Sequence, residues 1–429
     1  MEPGDHLFRR ESGRMVAALT RIFGVHNLAL AEDVVQDAFC RALEVWRLRG
    51  VPENPAAWLM ATAKHRALDV LRRQRRARDF APELGRLLES EWTLAPIVEE
   101  LFAAGAVKDD LLRMMFSCCQ PRLPEATQVA LILNILCGFS VAEIAGAFVS
   151  TQAATEKRIT RAKQRLAGSK RLFDITAPAD FAGRLPAVQR ALYLLFNEGY
   201  HGASPVAAVR VDLCREAMRL AALLLDHPFG RAPSTYALAA LMCFGAARLP
   251  ARVDAAGNLM SLLEQDRSQW DHEVVAQGWQ FLEASAAGSE FTEYHIEAAI
   301  ASVHACAPRI EDTDWASIVL LYDTLMTMRP SPIVALNRAI AVAQSEGPER
   351  GLEEIGAIDG RDRLAAYPFY AAALGELELR CGRRETARRH FAAALAVARN
   401  PMERRFLDRR VAACAAGGTR HQSRDEAWT

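Results

Sequence analysis

The chain has 429 residues, too long for one ordinary core and suited to two or three domains. Hydrophobic residues make up 51% and charged residues 24%, the composition of a folded soluble protein, and no apolar run reaches the length of a membrane span. Formal net charge is zero, which alone argues against a nucleic-acid partner, but the charges are distributed very unevenly along the chain.

Almost every segment carries helical period and no alternating strand pattern persists, so the expected fold class is all-α. Ala, Leu, Arg and Glu dominate, and prolines and glycines are expected between helices rather than inside them. The opening stretch MEPGDHLFRRESGR is polar and charged, unlike a signal peptide. Residues 5–78 form the first predicted unit, a compact helical domain. In its 31–43 segment, Glu32, Asp33, Gln36 and Asp37 stand at helical spacing opposite Val34, Val35, Phe39 and Leu43. The apolar set is expected in the core and the polar set outside, as a docking stripe for a basic partner, although any solvated helix shows such a stripe. Trp58 is a core candidate. Beside Lys64, His65 and Arg66 it also suits the support of an unstacked base. Residues 64–78 hold Lys64, Arg66, Arg72, Arg73, Arg75, Arg76 and Arg78 against Asp69 alone, most simply a phosphate-binding run, otherwise a solvated helix end.

A linker over 79–108 follows, with Pro82, Pro96 and Gly105, and then a second helical unit over 109–173. Within it, Ser140-Val-Ala-Glu143 reads as a capping box opening a short helix with Ile144, Ala145 and Phe148 on one side. Residues 149–151 make a turn, and a helix over 152–166 turns Ile159 and Leu166 inward. Lys157, Arg158, Arg161, Lys163, Arg165, Lys170 and Arg171 make 157–171 basic without one acid. With Gln152 near its start, this helix suits entry into a DNA major groove, and the apolar helix 124–137 is expected behind it. An amphipathic pair with a solvated basic face has the same outline. Val149, where such turns usually place Gly, favours that plainer reading, because a β-branched residue resists positive φ.

From 180 to 415 runs an Ala-rich helical array, and 416–429 is expected to be a disordered tail. Leu374, Gly375, Gly382, Ala387, Phe391, Ala394 and Leu395 sit where a tetratricopeptide repeat wants its small and large packing residues; stretches 296–305 and 336–343 are degenerate candidates. Asn197, Glu198, Tyr200 and His201 are expected to form a helix-end cluster at Gly199 and Gly202, lacking any nucleophile–base pairing. Trp270, Trp279 and Trp315 are expected in the repeat core. Nine cysteines, an odd number without CxxC or Cys/His metal spacing, point to a reducing cytoplasm and to no metal or cofactor. The adjacent Cys118 and Cys119 are badly placed to bridge each other.

Three motifs carry a family resemblance. Ala31-Glu-Asp-Val-Val-Gln-Asp-Ala-Phe-Cys-Arg-Ala-Leu43 resembles the polymerase-docking helix in region two of sigma factors, and Trp58-Leu-Met-Ala-Thr-Ala-Lys-His-Arg-Ala-Leu-Asp-Val-Leu-Arg-Arg73 the adjacent helix that opens and reads the -10 element. Glu143-Ile-Ala145 through Arg158-Ile-Thr-Arg-Ala-Lys163 resembles region four, which reads the -35 element. The stretches Asp109-Asp-Leu-Leu-Arg-Met-Met-Phe-Ser-Cys-Cys119, Arg184-Leu-Pro-Ala-Val188 and Leu192-Tyr-Leu-Leu-Phe-Asn-Glu-Gly-Tyr200 resemble an extracytoplasmic-function subgroup with a tetratricopeptide-like, DUF6596-type extension. His65, where the family often has Asn, and Glu156, where a basic residue is common, depart from the pattern and leave the promoter sequence open. The resemblance implies a non-enzymatic cytoplasmic factor. It would dock core RNA polymerase through Glu32, Asp33, Gln36 and Asp37. It would meet -10 DNA through Trp58, Lys64, His65, Arg66, Arg72 and Arg73, and -35 DNA through Gln152, Lys157, Arg158, Arg161 and Lys163. A protein regulator on the array is a further expected partner, and no membrane is. The alternatives are a helix-turn-helix regulator with a repeat-type sensor, which would not need the first two motifs, and a protein-binding repeat scaffold, which the basic runs oppose.

Overall fold

The computed structural model describes residues 3–74, 104–120, 122–147, 150–168, 178–202, 208–365 and 367–415. Among these every regular element is a helix, apart from an isolated antiparallel bridge between Val253 and Leu259, so the fold is all-α as its periodicity indicates. Several expectations lie outside the described residues: most of the linker over 79–108, Arg75, Arg76 and Arg78, Phe148 and Val149 of the turn, Lys170, Arg171 and the tail. None of the nine cysteines, all among the described residues, is in a disulfide. The chain divides into two compact units, Met1–Leu195 with Arg215–Arg231, and Phe196–Cys214 with Ala232–Thr429.

The first unit begins with α1 (Pro3–Phe23), α2 (Leu28–Arg49) and α3 (Pro55–Gln74). Leu28, Ala31, Val34, Val35, Ala38 and Ala42 recur at three- and four-residue steps, which puts one face of α2 in the core. Gly50 ends the helix at φ +81°, and the Asn54 side chain accepts the Ala57 N–H at 3.1 Å to open α3. Next come α4 (Ala104–Cys118), α5 (Glu125–Leu131), a wide π-type turn (Ile132–Leu136), α6 (Val141–Ala147) and α7 (Gln152–Ala167).

Helix α1 packs on α2, α3, α4 and the π-type turn. Gly13 makes the last contact possible, because a Cβ there would stand 2.1 Å from the Leu136 carbonyl oxygen. Arg21 of α1 pairs at 3.0 Å with Asp110 of α4, whose side chain is fully buried. Burial pushes the neighbouring Cys118 thiol up to about 12, so it stays protonated at neutral pH.

The same unit contains most of the first array helices, α8 (Pro178–His201) and α9 (Val211–Asp226). Phe181 meets Phe116 of α4 edge to face at 4.9 Å and stacks on Phe229 at 4.4 Å, and Arg184 donates to the Phe116 carbonyl at 3.2 Å. The expectation that prolines and glycines fall between helices rather than inside them fails at Pro186, inside α8, and at helical glycines such as Gly13 of α1. The Pro186 ring lies on the exposed side of the helix while Leu185 and Val188 are buried, so apolar packing outweighs one missing hydrogen bond.

The second unit runs through α10 (Pro233–Ala247), α11 (His272–Ser285), α12 (Glu293–Cys306), α13 (Trp315–Met328), α14 (Pro332–Ser345), α15 (Pro348–Gly356), α16 (Pro368–Arg380), α17 (Arg384–Ala396) and α18 (Pro401–Ala415). Helices adjacent in sequence pack as neighbours. Asp271, Asp314 and Ser331 cap α11, α13 and α14 with their side-chain oxygens. Gly375 lets α16 approach α17 so closely that an added Cβ would stand 2.9 Å from the Phe391 ring, which is buried with Ala387 and Ala394. Phe244 covers Gly278 in the same way between α10 and α11. The weaker repeat candidates 296–305 and 336–343 fall on α12 and α14. Trp270 is buried and Trp315 half-buried, whereas Trp279 is 41% exposed, with one ring edge against Phe244.

Candidate functional site

The first unit carries three polar faces. On α2, Asp33, Gln36 and Asp37 are exposed, as their spacing opposite the core stripe requires. Leu43, expected in the core, is 60% exposed. The reason is geometric: at 3.6 residues per turn each four-residue step rotates about 40°, so the row Val35, Phe39, Leu43 drifts from buried through half-buried to exposed. Leu48 and, just past the helix, Val51 are exposed as well, an apolar exposure that sequence reasoning missed.

Trp58 is half-buried on α3, its ring edge to face with Trp46 of α2 at 5.5 Å. Arg66 pairs with Asp37 at 2.8 Å, tying α3 to α2 through two partly exposed side chains. His65 is exposed and Lys64 half-buried on the same helix. Arg72 and Arg73 lie in the last turns of α3.

The third face is the α6–α7 pair. The Ser140 N–H donates to Glu143 at 2.8 Å, and the Glu143 N–H donates to the Ser140 hydroxyl at 3.2 Å, so the capping box forms as read. Thr151 caps α7 by accepting the Ala154 N–H at 3.3 Å. Thr155, Ile159, Ala162 and Leu166 are the buried stripe, with α5 packed behind. Gln152, Lys157 and Arg161 are exposed on α7 and Arg158 is half-buried. Lys157, Arg158, Arg161 and Arg165 line a groove of about 390 Å³ whose other wall is Leu123, Pro124 and Thr127; no acid lines it.

Lys163 points elsewhere, donating to Glu32 of α2 at 2.6 Å. Two residues expected to serve different partners are therefore each other's partner in this structure. Among the described residues no cluster of His, Cys, Asp or Glu is placed to hold a metal, and no helix is long and apolar enough to cross a membrane.

The groove gives a DNA prediction. If α7 meets DNA, Arg161→Ala is expected to lower affinity for every duplex tested and to reduce the slope of log affinity against log salt by about one. Gln152→Ala changes the ranking of duplex sequences instead. Binding titrations over a salt series check both, and identical profiles for parent and variants would remove α7 from the groove of DNA.

Residues 7–77 match the family model described as Sigma-70 region 2, and residues 184–286 match one described as a family of unknown function, DUF6596. The first match spans α1 to α3, and the second runs from α8 through α11. The chain is also 40% identical over 394 residues to an uncharacterized protein of Rhizobium meliloti (strain 1021), covering 91% of each.

Proposed function

Because the chain belongs to the sigma-70 family, as an extracytoplasmic-function-type member with a C-terminal DUF6596-bearing extension, we propose that it binds core RNA polymerase and directs promoter-specific initiation. The observation that carries the reading is the exposed side of α2, which holds Asp33, Gln36 and Asp37 and, further along the helix, the exposed Leu43 and Leu48, within the segment matching region 2. Exposed acids with exposed leucines on one helix suit a basic, partly apolar partner surface. Helix α3 beside it carries an aromatic ring, an exposed imidazole and cations, groups of the kind that hold melted DNA. The basic groove on α7 supplies a duplex-binding face. On this reading the Lys163–Glu32 contact is exchanged for polymerase and DNA contacts in the initiation complex. A helix-turn-helix regulator with a sensor domain would use α7 equally well, but leaves the face of α2 and the region 2 match without a role.

Asp33→Lys combined with Leu48→Lys tests docking. Both side chains are exposed, so the change costs little stability. Asp37 is less suitable, because its reversal also breaks the pair with Arg66. Co-purification with core polymerase is expected to fall at least tenfold while the melting temperature stays near the parent value. Undiminished co-purification would remove α2 as the docking surface.

A further inference from the structure

The second unit gathers cations without counter-ions. Arg252 and Arg267 are at most 9% exposed and Arg248 is half-buried. The guanidinium carbons of Arg252 and Arg248 lie 4.7 and 5.8 Å from the centre of the Tyr200 ring, and those of Arg267 and Arg248 lie 5.0 and 5.5 Å from the Trp270 ring. Two aromatic rings thus collect three guanidinium groups in one place. The hydrogen bonds of the three arginines go to neutral groups. Arg252 donates to the Tyr200 carbonyl at 3.2 Å and stands 3.2 Å from Nδ1 of exposed His201. Arg248 donates to the Gln265 side chain at 3.3 Å. Arg267 donates to the carbonyls of His304 and Ala307 and to the Thr313 hydroxyl. Among the described residues none of the three has a carboxylate within ion-pair distance; Glu311 and Asp312 act on Arg267 only from further away.

Unsatisfied donors collect at the same place. The Tyr200 hydroxyl, Nε of Arg252 and of Arg267 and Trp270 Nε1 are buried donors without a hydrogen-bond partner, and His304 Nδ1, a donor or an acceptor according to the tautomer, is buried without one too. Burial, and then the positive charges of Arg248 and Arg267, push the His304 imidazole down to about 3, so it stays neutral beside the arginines. Buried guanidinium groups without counter-ions and buried donors without acceptors are both disfavoured states, and a bound anion relieves both at once. Planar guanidinium forks match oxyanions two oxygens at a time.

We propose that the Arg248–Arg252–Arg267 cluster binds a small multivalent oxyanion, a phosphate- or carboxylate-bearing ligand, with the Tyr200 hydroxyl and Trp270 Nε1 as neutral donors. Arg248 and His201 are its solvent-facing entrance. All the residues of this site belong to the second unit.

Isothermal titration of the full chain with pyrophosphate and, separately, with citrate tests it, in chloride buffer of constant ionic strength. One or both anions bind saturably at one site, and the preferred anion separates a phosphate ligand from a polycarboxylate. Arg248→Ala weakens that binding at least tenfold. It removes a half-buried side chain with one hydrogen bond to another side chain, so melting without ligand stays near the parent value. Tyr200→Phe keeps the ring, removes the hydroxyl and weakens binding several-fold, which decides the matter if Arg248→Ala fails to fold. Arg161→Ala on α7 leaves the titration unchanged. Absence of saturable binding by either anion, or binding lost in Arg161→Ala and kept in Arg248→Ala, would overturn the proposal.

Discussion

Gly13→Ala destabilises the first unit by about 1–3 kcal/mol, the range of an overpacked core. The sign is the informative part. Inside an unencumbered helix, replacing Gly by Ala adds up to about 1 kcal/mol of stability. Here the new methyl would meet the Leu136 carbonyl oxygen at 2.1 Å and its carbon at 2.8 Å, both backbone atoms at the end of the π-type turn, with little freedom to retreat. The contact joins the region 2 helices to the helices that present α7, so its loss loosens both proposed DNA faces together. Scanning calorimetry of the full chain checks the prediction. A variant that melts at or above the parent temperature would mean that α1 does not pack on that turn.

A chain ending at Phe173 is expected to fold poorly and to initiate transcription less well than the full chain, because the first unit does not end where the array begins. Phe181, Val188, Leu192 and Leu195 of α8 are at most 5% exposed and belong to this unit, and Phe181 packs directly on Phe116 of α4. Burying each such side chain contributes roughly 1.5–3 kcal/mol. Their combined loss approaches the whole stability of an ordinary domain, about 5–15 kcal/mol. The competing idea is that the array masks the basic helix and that its removal frees the factor. Run-off transcription with equal amounts of folded short and full-length protein separates the two, and a more active short form would establish masking.

The helices were legible because their cores are periodic and locally capped. Ser140 and Glu143 lie three residues apart, and Gly375 and Phe391 sit on successive helices, so sequence spacing reports them directly. Leu43 misled because it shares the four-residue spacing of Val35 and Phe39, whereas the helix drifts away from its core face before reaching it. Lys163 and Glu32 are 131 residues apart, and no local pattern announces their pairing. The arginine cluster of the second unit was hidden for the same reason. Tyr200, Arg248, Arg267 and His304 lie on separate elements, and only the fold brings them to two shared rings. Tyr200 and His201 stood out in the sequence as a helix end, but what that end faces could not be read there. Trp279 looked like core by composition, since nothing in the sequence marks which side of α11 lacks a neighbour.

Run-off transcription with purified core polymerase, promoter DNA and the full chain tests the central claim most directly. The chain is expected to make core polymerase, which alone does not start at a defined site, produce a transcript of discrete length from the templates it recognises. Asp33→Lys with Leu48→Lys is expected to abolish that product by preventing docking, and Arg161→Ala to weaken it in a salt-dependent way. Transcript yields and start sites that are the same with and without the chain, on genomic templates from its own organism, would contradict the account.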